Sequence, residues 1–152
     1  MFRNQQEQHA KEAAFIARLK DYCNKNGIPF KDTTGTKEDI SYGIDCWIDG
    51  KPFDLKCSHT TWLTVFKELP NGQIYRPYNR HTRIPYLYCL QSSGKCYIIT
   101  KQEFAETIDS INPDDLDAYL HICLGDGNVN HSFDIKRFLT EDNLFIDINK
   151  EK

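Results

Sequence analysis

Two hydrophobic periods organise the first third of the chain. Around Asp49-Gly50 the apolar residues fall on alternate positions, Ile44, Cys46 and Ile48 before the pair and Phe53, Leu55 and Cys57 after it. Period two is the mark of strands with one buried face. An Asp-Gly pair between two such runs predicts a hairpin with a two-residue turn. Antiparallel partners keep a constant sum of residue numbers, so Ile48 should face Lys51, Trp47 should face Pro52, Cys46 should face Phe53, and Asp45 should face Asp54. Upstream, Phe15, Ile16, Leu19, Tyr22 and Cys23 recur at helical spacing, which predicts a helix over residues 5–24 that Gly27 and Pro29 stop.

The remaining elements follow more loosely. Residues 28–31 suggest a short strand and 33–41 a polar connection into the hairpin. Residues 58–69 are ambiguous between strand and helix, although their Thr, Trp, Val and Phe favour a strand. Strands are expected over 84–91 and 95–100, on either side of Ser92-Ser93-Gly94. Thr100 with Glu103 has the capping-box pattern and opens a helix to about Ser110. Asn112-Pro113 begins another helix, which Gly125 should end. Residues 133–139 and 144–148 close the chain, the latter as an edge strand. The pattern predicts one α/β (α+β) domain over residues 1–152, with no linker, repeat or low-complexity tract.

Charge and cysteine usage narrow the function classes. With 19 basic and 22 acidic residues and a sequence pI of about 5.9, the chain lacks the excess of cations expected of a nonspecific DNA-coating protein. Contact with nucleic acid would need a local patch. The six cysteines form neither a CxxC pair nor a zinc-finger spacing, and no signal peptide or long apolar run accompanies them. These features predict buried, reduced thiols in a cytoplasmic protein without membrane segments. The hairpin register does not oppose Cys46 to Cys57, so no disulfide is expected there.

The polar face of the hairpin carries the candidate chemistry. Asp45, Asp54 and Lys56 point away from the apolar face, and two carboxylates directly opposed across a ladder repel one another. A divalent cation between them would remove the conflict. Glu12 lies on the apolar stripe of the first helix, where a carboxylate needs a partner. Packed against the hairpin it would reach the same site, with Glu7, on the first turn of the helix, as a competitor.

Gly43-Ile44-Asp45, followed by Asp54-Leu55-Lys56, resembles the PD-(D/E)xK nuclease superfamily, with Ile44-Asp45 standing for Pro-Asp and Asp54-Leu55-Lys56 for D-x-K. The resemblance covers roughly the first hundred residues. It implies a restriction-endonuclease-like core of α-β-β-β-α-β order, a central mixed sheet containing an antiparallel hairpin and flanked by helices. It further implies that Asp45 and Asp54 bind Mg²⁺ (Mn²⁺ as substitute), that the Leu55 carbonyl touches the metal, that Glu12 completes the site, and that Lys56 serves the attacking water. Beside a cation, the protonated form of Lys56 would be disfavoured. The residue order between Lys56 and the next strand fits least, because the superfamily places a helix there.

A second stretch supplies a local patch. Tyr75-Arg76-Pro77-Tyr78-Asn79-Arg80-His81-Thr82-Arg83 interleaves arginines with tyrosines, a mixture suited to phosphate contact and stacking. Its prolines should hold it extended, with Arg76, Tyr78, Arg80, His81 and Arg83 as candidate nucleic-acid contacts. His59 is a candidate auxiliary phosphate contact. Asp126, Asn128 and Asn130 begin like an EF-hand loop, but His131 replaces the glycine and Arg137 the final glutamate, so a polar turn is expected. The reading is a Mg²⁺-dependent endonuclease acting on DNA, with RNA as an alternative substrate; cleavage of both strands of a duplex would call for a homodimer. Its rivals are an inactive nuclease-fold protein that binds nucleic acid, and an inhibitor or adaptor of the kind phages and mobile elements encode.

Overall fold

The computed structural model describes residues 5–33, 35–79, 81–125 and 127–149. It is a mixed α+β structure whose strands form two sheets. Helix α1 (Gln5–Lys25) leads into β1 (Phe30–Asp32), a short helix α2 (Lys37–Tyr42), and the hairpin β2 (Cys46–Ile48) and β3 (Lys51–Ser58). Strands β4 (Trp62–Glu68) and β5 (Ile74–Tyr75) follow, then β6 (Tyr86–Leu90), β7 (Lys95–Ile99), α3 (Lys101–Ser110) and α4 (Pro113–Tyr119). The chain ends with β8 (Leu120–Gly125), β9 (Asn128–Asp134) and β10 (Leu144–Asp147). Among the described residues no helix is long and apolar enough to cross a membrane.

The larger sheet has the order β1-β2-β3-β6-β7-β10, with β3 and β6 parallel and the other pairs antiparallel. Its hairpin has the expected register, Cys46 opposite Phe53, Trp47 opposite Pro52 and Ile48 opposite Lys51. Asp49 and Gly50 both take positive φ, 53° and 77°, as the turn that matches strand twist requires. The apolar face packs as its alternation predicts. Cys46, Ile48, Phe53, Leu55 and Cys57 join Phe15, Ile16, Leu19 and Cys23 of α1 in one core, with Leu87 and Cys89 from β6. The opposite face of β6 presents Tyr86 and Tyr88 to a second core, shared with Phe104 and Ile108 of α3 and Leu63, Val65 and Phe133 of the smaller sheet, β5-β4-β9-β8. The charged face of the hairpin therefore lies on the side of the second core, where it is half-buried.

Several expectations need correction. The polar connection over 33–41 contains α2, ended by Gly43 at φ +71°, a conformation that favours glycine. Residues 62–68 form a strand of the smaller sheet, so β4, β5 and a 3₁₀ turn stand where the resemblance implies a helix. The helix begun by Pro113 stops at Tyr119, and residues 120–125 pair with β9 instead of continuing it, because ladder bonds along the whole of Leu120–Gly125 outweigh local helical preference. The EF-hand-like stretch, expected as a polar turn, is largely strand: Asn128 and Asn130 pair within β9, and Asp126 lies outside the described residues. β10 is an edge strand, as expected. Cys23, Cys46, Cys57, Cys89 and Cys96 are buried free thiols, Cys89 and Cys96 being cross-strand partners with sulfurs 3.1 Å apart. The Cys123 side chain is outside the description.

Candidate active site

The hairpin register runs one pair short of its expected length. At Asp45 the chain leaves the ladder: its amide donates to the Phe53 carbonyl at 2.9 Å, and its carboxylate Oδ2 accepts from the Leu55 amide at 2.8 Å. The Asp54 amide turns to the Pro85 carbonyl at 3.0 Å, where β6 begins. The directly opposed pair of carboxylates that a continued ladder would make is thus not formed. Thr33, fully buried, fixes this departure. Its hydroxyl donates to the Ile44 carbonyl at 2.6 Å and its amide donates to the Asp45 carbonyl at 3.0 Å.

Asp54, Lys56, Tyr86 and Tyr88 are brought together by the parallel pairing of β3 with β6, which sets Asp54 beside Tyr86 and Lys56 beside Tyr88. The carboxylate of Asp54 is only 15% exposed and is held by two lysines. Lys56 Nζ lies 3.4 Å from Oδ1, and Lys101 Nζ lies 3.1 Å from Oδ2. Lys101 is 2% exposed, sits in the first turn of α3, and places its ammonium 4.9 Å from the centre of the Tyr86 ring. Its position follows from the Thr100 cap, whose hydroxyl accepts from the Glu103 amide at 3.0 Å and fixes where α3 starts. Capping chemistry made the start of α3 readable from sequence. Lys101 itself, the first residue of α3, carried no signal that it would meet Asp54.

Asp39 was likewise unforeseen. It lies on α2 and its carboxyl shares a hydrogen bond with that of Asp45. Burial, this Asp39 contact and the charge of Asp54 together push the Asp45 carboxyl up to about 8. For Lys56, burial works against the charge but is outweighed by Asp54, Asp45 and Glu12, so its ammonium is held more firmly than that of an ordinary lysine. That is opposite to the expectation of a disfavoured protonated form, which depended on a neighbouring cation; the acids of the protein act first. Burial and the charge of Asp54 push the Tyr86 hydroxyl well above its usual value.

Asp45, Asp54, Lys56 and Lys101 line one cleft of about 390 Å³, which Glu12 of α1 and Trp62 of β4 also border. The structure therefore brings together all the expected site residues of the hairpin and helix, including the Leu55 backbone. The side chain of Glu7 lies outside the description. His59 does not join them: it borders a separate groove with Lys11 and Arg18.

The arginine-tyrosine stretch adjoins the same cleft through Tyr75 and Pro77. It is not extended, as Pro77–Asn79 form a 3₁₀ turn and His81 takes a positive φ of 51°. Arg76 and Arg83 are exposed, Arg76 lying 5.9 Å over the ring of Phe66. Tyr78 is corrected from a stacking contact to a core residue, 4% exposed and edge-on to Phe104. His81 is committed to the Ser41 carbonyl at 2.9 Å and to the ring of Tyr42. Arg80 lies outside the described residues.

No cluster of three or more His, Cys, Asp and Glu side chains poised to hold a metal occurs among the described residues. Mg²⁺ does not require one, since it commonly takes one or two carboxylates and keeps several waters. The donor set of Asp45, Asp54 and the Leu55 carbonyl fits that habit. The electrostatics are compatible with it: burial first, then Asp39 and the charge of Asp54, push the Asp45 carboxyl up to about 8, and a divalent ion would relieve the part that comes from its acidic neighbours. Comparison of the chain with family models, with curated proteins and with solved structures finds no match.

Proposed function

We propose that the protein is a divalent-metal-dependent nuclease of PD-(D/E)xK type. One observation carries the reading: Asp45, Asp54, Lys56 and Glu12, singled out by motif and helical phase, border a single cleft although they come from three elements. The order of elements supports a restriction-endonuclease-like core in part. α1, the meander β1-β2-β3 and the parallel strand β6 follow the implied sequence, whereas β4 and β5 replace the expected crossover helix.

Mg²⁺ held by Asp45, Asp54 and the Leu55 carbonyl would polarise a phosphodiester and lower the pKa of bound water. The residues of the chain divide the remaining work. Lys101 fixes Asp54 from below, which pre-sets the direction of its carboxylate. Lys56, 40% exposed at its side chain, is the cation that reaches into the cleft, where it orients the nucleophile and a phosphate oxygen. Glu12 adds negative charge at the rim. Arg76, between the cleft residues Tyr75 and Pro77, would meet a phosphate backbone leaving the cleft, and the exposed Arg83 is the second candidate contact of the same stretch.

Purified protein incubated with plasmid, linear and single-stranded DNA tests this reading. Cleavage should appear with Mg²⁺ or Mn²⁺ and vanish with EDTA. A second reading, a catalytically silent nucleic-acid-binding protein, is favoured by one observation, that Lys56 and Lys101 already neutralise Asp54 from within 3.4 Å; binding without cleavage in any divalent ion would select it. The patch has its own test. Replacing Arg76 and Arg83 by alanine should make the slope of log K against log salt shallower by roughly 2, since each phosphate contact releases about one counterion. An unchanged slope would place the DNA path elsewhere.

A further inference from the structure

The geometry points to Trp62 as a platform for a nucleobase, and from it we infer that the protein works on single-stranded nucleic acid with one base stacked beside the acids. The inference rests on the nuclease reading for the identity of the substrate and goes beyond it in the form of that substrate.

Three observations carry it. The first is size. The acids lie on the wall of a cleft of about 390 Å³ between two sheets, the scale of a small-molecule pocket. That space is the size of a nucleotide unit, and a base inside a duplex has both faces covered by its neighbours, so stacking beside these acids needs an unpaired strand. The second is the position of Trp62, which borders this cleft at the start of β4 and is only partly buried. Its indole is stacked on the ring of His121, with centroids 4.2 Å apart and planes within 6°. His121 covers one face of the indole, and a base would stack on the other face of the ring that borders the cleft, since every base offers a π-face.

The third observation is rigidity. The segment leading to Trp62 is fastened on both sides: the Tyr88 hydroxyl donates to the Thr60 carbonyl, the Thr61 hydroxyl donates to Asp134, and the Ile135 amide donates to the Thr61 carbonyl at 2.7 Å. Tyr88 belongs to the strand beside Lys56, so the platform is tied to the catalytic sheet through one hydrogen bond. A ring held in this way loses little freedom when a base settles on it. The Tyr75 side chain, 37% exposed on the same cleft, continues the aromatic surface toward Arg76. One cut in one strand also removes the need for a dimer.

The experiment separates stacking from catalysis by working in EDTA. Oligo-dT, oligo-rU and a duplex of mixed sequence, each end-labelled with fluorescein, are titrated with the wild type, Trp47→Phe, Trp62→Leu and Trp62→Phe; label anisotropy gives the affinity of every variant, and intrinsic tryptophan emission reports stacking. Oligo-dT should quench the wild type and Trp47→Phe, and should leave Trp62→Leu unquenched. Its affinity should fall roughly 5- to 100-fold in Trp62→Leu, the range for losing one stacked base, and should largely return in Trp62→Phe, which also controls for folding. The duplex should bind more weakly than either single strand, and comparison of dT with rU assigns DNA or RNA. Unchanged oligo-dT affinity in Trp62→Leu, or tighter binding of duplex, would overturn the inference. Stacking without any metal-dependent cleavage would sink the nuclease reading and leave this one standing; cleavage with a silent Trp62 would do the reverse.

Discussion

Asp45→Asn and Asp54→Asn should both abolish metal-dependent cleavage, and should move stability in opposite directions. Asp54 is the partner of a lysine that is 2% exposed. Asp54→Asn takes away the charge that faces the buried Lys101 ammonium at 3.1 Å, so it should lose about 3 kcal/mol, or about 6–12 °C in Tm for a chain of this size. Asp45 is the reverse case. Its carboxyl is pushed up to about 8, far above the value of about 4 it has when unfolded. A raised folded value means that the protonated form is favoured by the fold. Its contribution is then complete below pH 4 and is lost progressively as pH rises to 8. In EDTA the wild type should therefore become less stable from pH 4 to pH 8 on account of this group. Asp45→Asn should flatten that dependence and be more stable at pH 8, by roughly 1–3 kcal/mol once water reaching the site is allowed for. Chemical denaturation of both variants at pH 5 and pH 8 reads the contrast. Equal shifts in both would mean that Lys101 does not hold Asp54 as described.

Lys56→Ala should lower single-turnover cleavage by roughly 10²- to 10³-fold, the usual loss when a fixed group that stabilises transition-state charge is removed, while DNA affinity in Ca²⁺ is nearly kept. Glu12→Gln should behave differently. Glu12 borders the cleft from α1 and acts through charge at its rim, so its loss should weaken metal saturation. Raising Mg²⁺ or substituting Mn²⁺ should restore much of that activity by mass action, and should not restore Lys56→Ala. Activity measured against metal concentration for the two variants checks this. Rescue of the lysine variant but not of the glutamate variant would reverse the two roles.

The hairpin was legible because every determinant of it is local. Asp49-Gly50 set the turn, alternation set the faces, and the two together set the register. Glu12 was legible through helical phase, since Phe15, Ile16 and Leu19 orient α1 on the sheet and carry Glu12 with them. What could not be read depends on partners distant in sequence. Lys101 meets Asp54 only because β3 and β6 pair in parallel and β7 leads back into α3. Asp39 reaches Asp45 only because Gly43 ends α2 where it does. The departure of Asp45 from its ladder is a feature that a constant-sum register does not contain. Tyr78 shows the same limit: alternation of arginine and tyrosine suggests a surface, and the packing of Phe104 takes one of the tyrosines into the core.

The most direct test of the proposed site is cleavage of an end-labelled single strand by the wild type and Asp45→Asn, each with Mg²⁺ and with EDTA. The account predicts product from the wild type with Mg²⁺ and in none of the other three reactions, with Asp45→Asn fully folded at the same pH. Product in EDTA, or undiminished product from Asp45→Asn, would contradict it.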